Sequence, residues 1–442
     1  MNWSEKEFKT IDLGDKRLNK RAFLLAERLS AKPGSSIPAA CGGWAETQAA
    51  YRFFAQDEVE WSDILKPHME CTRERMQAHE VVLCIQDTTE LNFNGQAITG
   101  LGPLNYESQR GMYVHPTYAV SLSREPLGIL DAWMWAREPR DENGQRAGLR
   151  ESLRWVEGYQ RIAEYAEALP NTRLVYVADR EADFMELLKK AEALGHPADW
   201  LIRSKNNRRV PSTQNKLWDE VKASDAVGEI RFTLPRRGNQ KAREVHQQVR
   251  VKRVRLSAGK KQEIEATCII AQELNPPESA KPVEWRLLTN RKAETFEDAV
   301  QMIDWYRARW EIELFFHVLK NGCQVEALQL STIDRLEIAL ALYFVVAWRI
   351  NRLMRLGRAC PDLEAELLFD PDEWRAAYVM NKKKLPKKPP SLNEVLRLVA
   401  MLGGFLGRKS DGEPGVKTIW LGMQRVTDFA LGLQFAREMG LG

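Results

Sequence analysis

Two short apolar runs, each followed by an aspartate, constrain the fold of this chain more than any other feature. Val81–Ile85 is uninterrupted apolar sequence with Asp87 two residues beyond it, and Leu174–Ala178 leads directly into Asp179. Such a run is typical of a central strand that is buried on both faces. Because ligands of open α/β sheets gather at the carboxyl ends of strands, we predict that the two aspartates meet in one metal-binding crevice. For either aspartate alone, a helix N-cap or a turn is the competing interpretation.

The acids just after Asp179 have a simpler explanation. Glu181 and Asp183 fall in the first turn of a helix predicted over Glu181–Leu194, where the helix dipole favours negative charge. We therefore expect these two side chains to be structural.

The remaining central sequence alternates between strand-like and helix-like patterns. Further strands are predicted at Met112–Leu122, Leu127–Trp135, Trp200–Arg203 and Trp285–Thr289, and helices at Gly148–Leu169 and Thr295–Lys320. This alternation predicts the α/β class with a mixed sheet. Residues 206–282 are strand-like again and form a predicted β-strand insertion within that core.

Positive charge is concentrated around this insertion. The formal net charge of the chain is only +4, but seventeen Lys and Arg residues lie between Asp199 and Glu263, among them Arg236 and Arg237. We interpret the segment as a positive surface of the kind that phosphate binding needs. A merely solvated basic β-segment is the alternative interpretation.

The helix predicted over Thr295–Lys320 carries a third carboxylate between cations. At about 100° per residue, four polar residues fall within roughly 60° of arc on one side of it: Tyr306, Arg309, Glu313 and Lys320. A carboxylate can hold a metal while Arg and Lys grip a phosphate and Tyr bonds a phosphate oxygen. The alternative is a surface ion-pair stripe without function, whose pairs contribute only ~0–1 kcal/mol each.

A basic face is also predicted near the N-terminus. Asp15 can cap a helix over Lys16–Ser30. One face of that helix holds four cations: Arg17, Lys20, Arg21 and Arg28. A small helical unit with such a face suits DNA, although an ordinary amphipathic surface helix gives the same pattern.

The C-terminal sequence changes character again. A charged, proline-rich linker over Asn381–Pro390 precedes helices predicted at Ser391–Met401 and Lys417–Glu438. The last helix carries an apolar stripe: Ile419, Met423, Val426, Ala430 and Leu433. We expect this stripe to pair with a second subunit, with packing against the chain's own catalytic domain as the alternative.

The composition indicates a cytoplasmic protein without a membrane segment. Its six cysteines lack metal-binding spacing and are expected to be reduced, mostly buried thiols. Met1–Thr10 is charged and has no apolar core of a signal peptide. The longest apolar run, Ile338–Trp348, has about half of the ~20 residues that a membrane span needs, so we predict a buried helix.

Together these residues resemble the insertion-sequence DDE transposases, and within them the Tn-five-like branch of the IS-four family. Three motifs match the family in order and spacing: the Asp87-Thr88-Thr89 turn, the Asp179-Arg180-Glu181-Ala182-Asp183 run and the Tyr306, Arg309, Glu313 and Lys320 helix. Leu13–Arg17, Tyr51–Phe53 and Leu402–Phe405 also look like family segments, so the resemblance covers essentially the whole chain.

The resemblance implies an RNase H-like catalytic core and its metal ligands. The acidic triad would be Asp87, Asp179 and Glu313, holding two Mg²⁺ ions per active site, for which Mn²⁺ substitutes. The family's division implies a helical domain over residues 1–68 that binds transposon ends. A catalytic domain over 69–370 and a helical dimerisation domain over 371–442 follow.

The resemblance also implies DNA contacts. Tyr306, Arg309 and Lys320 match positions that hold phosphates near the cut, and Arg203 and Trp285 match positions that grip the end and receive a flipped base. Arg17, Arg21 and Arg180 are further implied DNA contacts. Leu18 departs from the family, which can carry another arginine there, and this bears on which end sequence is recognised.

The implied activity is cut-and-paste transposition. A homodimer would bring two ends of double-stranded DNA together in a synaptic complex, cleave each through a hairpin and join them to target DNA. A catalytically inactive DNA-binding regulator on the same fold is the alternative, and another RNase H-like nuclease such as a junction resolvase is a third possibility.

Overall fold

The computed structural model describes most of the chain as two compact units. The described residues are 3–147, 150–234, 242–259, 262–278, 280–408 and 410–440. Arg236, Arg237 and the predicted helix start at Gly148 lie outside these ranges. The first of the two compact units, called here the helical unit, comprises Met1–Met76, Thr88–Gly148 and Glu311–Gly442. The second, here the sheet unit, comprises Gln77–Asp87 and Leu149–Trp310.

Helices and strands are numbered along the chain. The helices are α1 (Trp3–Glu7), α2 (Lys16–Ala31), α3 (Ile37–Cys41), α4 (Trp44–Phe54), α5 (Trp61–Met76), α6 (Leu153–Ala168), α7 (Met185–Ala193), α8 (Leu217–Lys222), α9 (Phe296–Arg307), α10 (Trp310–His317), α11 (Ile333–Ala359), α12 (Pro371–Met380), α13 (Leu392–Leu402) and α14 (Val416–Glu438). The strands are β1 (Val81–Gln86), β2 (Thr89–Asn92), β3 (Gly102–Pro103), β4 (Arg110–Ser121), β5 (Pro126–Trp135), β6 (Arg173–Ala178), β7 (Asp199–Arg203), β8 (Ala226–Leu234), β9 (Arg243–Gly259), β10 (Gln262–Glu273) and β11 (Glu284–Thr289).

Within its described residues, the sheet unit is built on strands in the order β1-β6-β7-β11-β10-β9-β8. β1, β6 and β7 are parallel to one another, whereas β11, β10, β9 and β8 each run antiparallel to their neighbour. The side chains of Val82–Gln86 and Leu174–Ala178 are buried, as their unbroken apolar pattern predicts. The mixed α/β fold expected from the sequence is confirmed.

The predicted β-insertion is present, but much of its positive charge is balanced within the chain. β8, β9 and β10 form an antiparallel meander, preceded by the short helix α8. Lys252 pairs with Glu220 at 2.5 Å, and Arg253 and Arg255 both pair with Glu265. These three cations face two acids, so the positive charge predicted for this segment is reduced here but not cancelled.

The core of the helical unit surrounds α11. This helix packs against α2, α5, α13, α14 and β5, and the whole Ile338–Trp348 run is buried, as predicted. In the part of the chain that the structure describes, no helix has the length and apolar character to cross a membrane. The strands of this unit form an antiparallel set in which β4 pairs with β2, β3 and β5.

A buried charge cluster ties α1, α5 and β5 together inside this unit. Glu7 contacts His68 Nδ1 and accepts hydrogen bonds from Arg75 at 2.9 and 3.0 Å, and Ile129 N donates to His68 Nε2 at 3.0 Å. Burial works to raise the pKa of Glu7, but the charges and hydrogen bonds of His68 and Arg75 hold it at about 2. The cluster keeps Glu7 ionised although it is almost fully enclosed.

The long helix predicted over Thr295–Lys320 is interrupted. A capping box between Thr295 and Asp298 starts α9, which ends at Arg307. At the junction Arg309 N donates to the carbonyl of Tyr306 at 3.0 Å, a tighter turn than an α-helix makes. α10 begins at Trp310, and a π turn follows over Val318–Gly322. The predicted polar stripe of Tyr306, Arg309, Glu313 and Lys320 assumes one straight helix. Because the helix is interrupted, the predicted angles between these residues do not hold across the junction.

The apolar stripe predicted to pair with a second subunit is mostly used inside the chain. Ile419, Met423, Val426 and Ala430 are buried, and α14 packs against α11, α12 and α13. The alternative interpretation, packing within the chain, therefore holds for these residues. The exposed apolar side chains on another face of α14 are Leu421, Leu431 and Phe435, and Met439 directly follows the helix.

Candidate active site

Asp87 and Asp179 lie at the ends of neighbouring parallel strands. β1 and β6 pair in a register that sets Gln86 opposite Ala178, so each aspartate is one residue beyond a paired position. Burial raises the pKa of the Tyr176 phenol well above its ordinary value, and the charges of Asp179 and Asp87 raise it further. Two carboxylates thus act on one buried phenol, which places them at the same edge of the sheet.

Asp179 also caps the turn that follows it. Its Oδ1 accepts a hydrogen bond from Glu181 N at 2.6 Å, which starts a 3₁₀ turn over Arg180–Ala182. The capping role weighed from the sequence is therefore real, and it fixes the orientation of this carboxylate. The predicted helix from Glu181 is shorter than expected, since α7 begins only at Met185.

Arg309 reaches Asp87 from the junction between α9 and α10. The two side chains form an ion pair and a hydrogen bond, and both are mostly buried, with 14% and 16% of their side-chain surface exposed. The sequence indicates Arg309 as a phosphate contact, but it gives no sign of this partner. Both residues belong to the sheet unit.

Tyr306 lies among the same groups. Burial raises the pKa of its phenol, the positive charges of Arg309 and Arg203 lower it, and Asp179 raises it. A hydrogen bond with Arg309 also contributes. The structure therefore brings together, within one unit, five of the residues singled out from the sequence: Asp87, Asp179, Arg203, Tyr306 and Arg309.

Asp183 holds the loop that carries the exposed cations next to this edge. Its buried carboxylate accepts hydrogen bonds from Lys205 N at 2.6 Å and Asn206 N at 2.7 Å, and pairs with Arg208 at 2.5 Å. The expected first-turn position is wrong, because Asp183 ends the 3₁₀ turn and serves as a clamp instead. Arg203, directly before this loop, is exposed.

Trp285 is neither fully exposed nor a core tryptophan. Its ring is half-buried on β11 and stacks on Phe232 of β8, with centroids 5.5 Å apart and planes 11° apart. The guanidinium of Arg307 lies 6.0 Å from the Phe232 centroid. Phe232 was missed from the sequence, where it is one of several apolar residues in an alternating strand.

The other residues proposed for the active site lie in the helical unit. Glu313 is half-buried on α10, and Lys320 is half-buried in the π turn that follows. The neighbouring Glu311 is buried and paired with Arg355, so its charge is already used in the fold. His317 is exposed, and its ring packs against Trp420 with centroids 5.5 Å apart. Arg180, in the sheet unit, is exposed beside Asp179.

The predicted basic face of α2 is divided. Arg17 is 91% exposed and pairs with Asp15, which caps the helix by accepting from Arg17 N at 2.7 Å. Arg21 is turned toward Glu46 at 2.5 Å, and Arg28 lies 3.5 Å from the same carboxylate. Only part of the face therefore presents unbalanced charge.

The carboxylates at the sheet edge suit a hard divalent ion. Mg²⁺ takes oxygen ligands, commonly one or two carboxylates, and completes its shell with water and substrate phosphates. Asp87 and Asp179 offer such a pair from adjacent strand ends. Among residues 3–147, 150–234, 242–259, 262–278, 280–408 and 410–440, no three His, Cys, Asp or Glu side chains are grouped closely enough to hold a metal together.

Three protein-family models match this chain in sequence order. Residues 1–59 match "Transposase DNA-binding", residues 156–349 match "Transposase DDE domain" and residues 345–441 match "Transposase Tn5 dimerisation domain". Among solved structures, the chain is similar to a cryo-EM structure of the piggyBac transposase synaptic complex with hairpin DNA. That similarity has 10% identity and a TM-score of 0.39, covering 99% of this chain and 80% of the other. At this score it supports no further conclusion.

Proposed function

Because this chain belongs to the DDE transposases, in the Tn-five-like branch of the IS-four family, we propose that it moves its element by cut-and-paste through a DNA hairpin. It is a DNA-binding enzyme that cleaves DNA and transfers strands in a metal-dependent reaction. The proposal includes three domains: an end-binding domain over residues 1–68, a catalytic domain over 69–370 and a dimerisation domain over 371–442. It also includes action in the cytoplasm.

The proposed catalytic triad is Asp87, Asp179 and Glu313. The observation that carries it is the register of β1 and β6, which sets two carboxylates side by side at strand ends. Two Mg²⁺ ions, or Mn²⁺ in their place, would activate the attacking oxygen and stabilise the leaving oxygen. The residues' part is to supply hard oxygen ligands in a fixed orientation, which the cap from Asp179 to Glu181 N supports.

Several side chains are proposed to hold DNA. Arg309, Tyr306 and Lys320 bind phosphates near the cut, and Arg203 grips the transposon end. Support for Arg309, Tyr306 and Arg203 is the cluster of two cations and a phenol around the two aspartates, since guanidinium groups bind phosphate with two parallel hydrogen bonds. Lys320 is proposed from its place in the family motif alone. Arg17, Arg21 and Arg180 are proposed as further DNA contacts, although the Glu46 pair of Arg21 must open for this.

The proposed reaction is a series of four displacements at phosphorus. Water first cuts one strand, leaving a 3′-hydroxyl on the element and a 5′-phosphate on the flank. That hydroxyl attacks the opposite strand, which closes a hairpin and releases the flanking 3′-hydroxyl. A second water opens the hairpin, which restores the 3′-hydroxyl and leaves a 5′-phosphate on the opposite strand of the element. The 3′-hydroxyl then attacks a phosphodiester of target DNA and releases a 3′-hydroxyl of the target strand.

Trp285 is proposed to receive the base that the hairpin forces out of the stack. A tight hairpin strains its terminal bases, and stacking a flipped base on an aromatic ring relieves that strain. Support comes from the half-buried position of the ring and from Phe232, which backs one side of it.

A homodimer is proposed to join the two ends, with each subunit cutting the end recognised mainly by the other. The match of residues 345–441 to a dimerisation domain supports it. So do the exposed apolar side chains of Leu421, Leu431 and Phe435 on α14 and of Met439 directly after it. Clusters of exposed apolar side chains commonly mark subunit interfaces.

The test is incubation of the full chain with DNA that carries the element's own ends and Mg²⁺, followed by a gel that resolves hairpins. Nicked DNA that appears first, followed by hairpin DNA, would support the proposal. Binding to the ends without any cleavage would instead support the alternative, a catalytically inactive regulator of transposition.

A further inference from the structure

The contact between Asp87 and Arg309 joins a proposed metal ligand to a proposed phosphate contact. We infer that Arg309 is a positioning residue for Asp87: it holds this carboxylate until a DNA phosphate draws it away, and so couples DNA binding to metal binding. This inference rests on the proposed function, because it takes Asp87 as a ligand and Arg309 as a phosphate contact.

The geometry of the pair makes the competition direct. One guanidinium nitrogen of Arg309 donates a charge-assisted hydrogen bond to the Asp87 carboxylate, and both side chains are largely shielded from water. Shielding strengthens the attraction relative to an exposed pair. A divalent ion at Asp87 would have to share this carboxylate with the guanidinium and would lie beside its positive charge.

The position of Arg309 in the backbone allows the exchange. It occupies the two-residue junction between α9 and α10, where Arg309 N bonds the carbonyl of Tyr306 at 3.0 Å. Its guanidinium lies 5.8 Å from the ring centroid of Trp310, which is 58% exposed. The guanidinium therefore contacts the enclosed carboxylate and also lies near an exposed aromatic ring, and rotation about the side chain's own bonds can change its partner.

A DNA phosphate is the partner that fits the exchange. A guanidinium binds phosphate through two parallel hydrogen bonds, as it binds a carboxylate. Arg203 and Tyr306 act on the same region, so an arriving phosphate meets a second cation and a phenol there. The phosphate thereby replaces the Asp87 carboxylate as the ion-pair partner of Arg309, and the carboxylate becomes available to the metal.

Thermodynamic linkage sets what can be measured. If DNA binding releases Asp87, then metal binds more tightly to the DNA complex, and DNA binds more tightly to the metal complex by the same factor. Couplings between sites typically lie in a range of roughly 5- to 150-fold. For one shielded ion pair we expect about tenfold.

The first experiment measures Mn²⁺ binding to the full chain without DNA, by the loss of the free-ion electron paramagnetic resonance signal. Arg309→Ala should bind Mn²⁺ about tenfold more tightly than the parent chain. The matched control is Arg307→Ala, which removes a neighbouring positive charge whose guanidinium lies over Phe232, and it should leave Mn²⁺ affinity within about twofold. Equal affinities of Arg309→Ala and the parent chain would overturn the inference.

The second experiment repeats the Mn²⁺ titration in the presence of a saturating DNA duplex that represents the already cleaved end of the element. The Mn²⁺ that binds to this duplex alone is measured separately and subtracted. DNA should raise the Mn²⁺ affinity of both proteins, and the fold-increase should be about ten times larger for the parent chain than for Arg309→Ala. The same enhancement in both proteins would contradict the exchange.

Mn²⁺ binding to the variant Asp87→Asn distinguishes a failure of this inference from a failure of the proposed function. Loss of tight Mn²⁺ binding in Asp87→Asn, together with unchanged coupling in Arg309→Ala, would refute the exchange and leave the ligand assignment standing. Mn²⁺ binding to Asp87→Asn that equals the parent value would remove Asp87 from the metal site, and both ideas would then fall.

Discussion

Replacing Asp183 with Ala should release the loop that carries Lys205 and Asn206. The substitution removes the acceptor of two backbone N–H groups, at 2.6 and 2.7 Å, and leaves Arg208 without the carboxylate that it meets at 2.5 Å. Breaking a buried ion pair by removing one partner costs about 3–5 kcal/mol. Because Lys205 and Asn206 are exposed and water can replace part of the lost bonding, we expect the lower end, about 3 kcal/mol.

Hydrogen exchange followed by mass spectrometry is the suitable assay, because a chain of two compact units need not unfold in one step. A peptide that covers residues 203–209 should exchange about 150-fold faster in Asp183→Ala, the equivalent of about 3 kcal/mol. Asp183→Asn should have a smaller effect, since its amide oxygen still accepts hydrogen bonds. The control is Asp225→Ala, an exposed aspartate of the same unit, where we expect a change within about 0.5 kcal/mol. Unchanged exchange in Asp183→Ala would refute the clamp.

Three further predictions concern the hairpin step, the dimer and acid stability. Trp285→Ala should slow hairpin formation about 5- to 150-fold more than the first nick, because only the hairpin needs a flipped base and stacking is worth about 1–3 kcal/mol. Equal loss at both steps on a time-course gel would point to misfolding. Phe435→Asp should leave binding of single ends intact but abolish the paired-end complex on a native gel, whereas a mutant that still pairs ends would exclude this face of α14 from the dimer contact. Because the folded-state pKa of Glu7 is about 2, below its ordinary 4.5, its contribution is full above pH 4.5 and lost as the pH falls toward 2. Glu7→Gln should therefore show a smaller drop in melting temperature across that window than the parent chain, and an identical drop would contradict the assignment.

The strands and their terminal aspartates could be predicted because the signal is local. An unbroken apolar run ending in a polar residue specifies both a central strand and the place where it ends, and the structure has β1 and β6 within one residue of the expected bounds. The cap of α2 by Asp15 is equally local, since its carboxylate and the N–H it accepts are two residues apart. Such features need no knowledge of distant contacts.

The break between α9 and α10 could not be predicted in the same way. The sequence Tyr306-Arg307-Ala308-Arg309-Trp310 contains neither Gly nor Pro, and its residues are acceptable in a helix. A residue of this junction makes a long-range contact, the pair between Arg309 and Asp87, whose members are 222 positions apart. Spacing along one helix says nothing about such a partner.

The prediction that the apolar stripe of α14 pairs with a second subunit was wrong for its buried residues, for a related reason. Helical periodicity identifies which residues share a face, but not whether that face meets its own chain or another one. Ile419, Met423 and Val426 are covered by the helical unit itself. Deleting the helix would therefore expose the core of this unit, and substitution of an exposed residue such as Phe435 is the cleaner test of dimerisation.

The central claim is that three carboxylates carry out the chemistry while other residues bind DNA. The most direct measurement compares the parent chain with Asp87→Ala, Asp179→Ala and Glu313→Ala on DNA with the element's ends and Mg²⁺, scoring end binding and strand cleavage separately. We expect each substitution to abolish cleavage and to leave end binding nearly unchanged, because affinity comes mainly from phosphate contacts elsewhere. Cleavage near the parent rate by any one of the three would remove that residue from the triad and contradict the account.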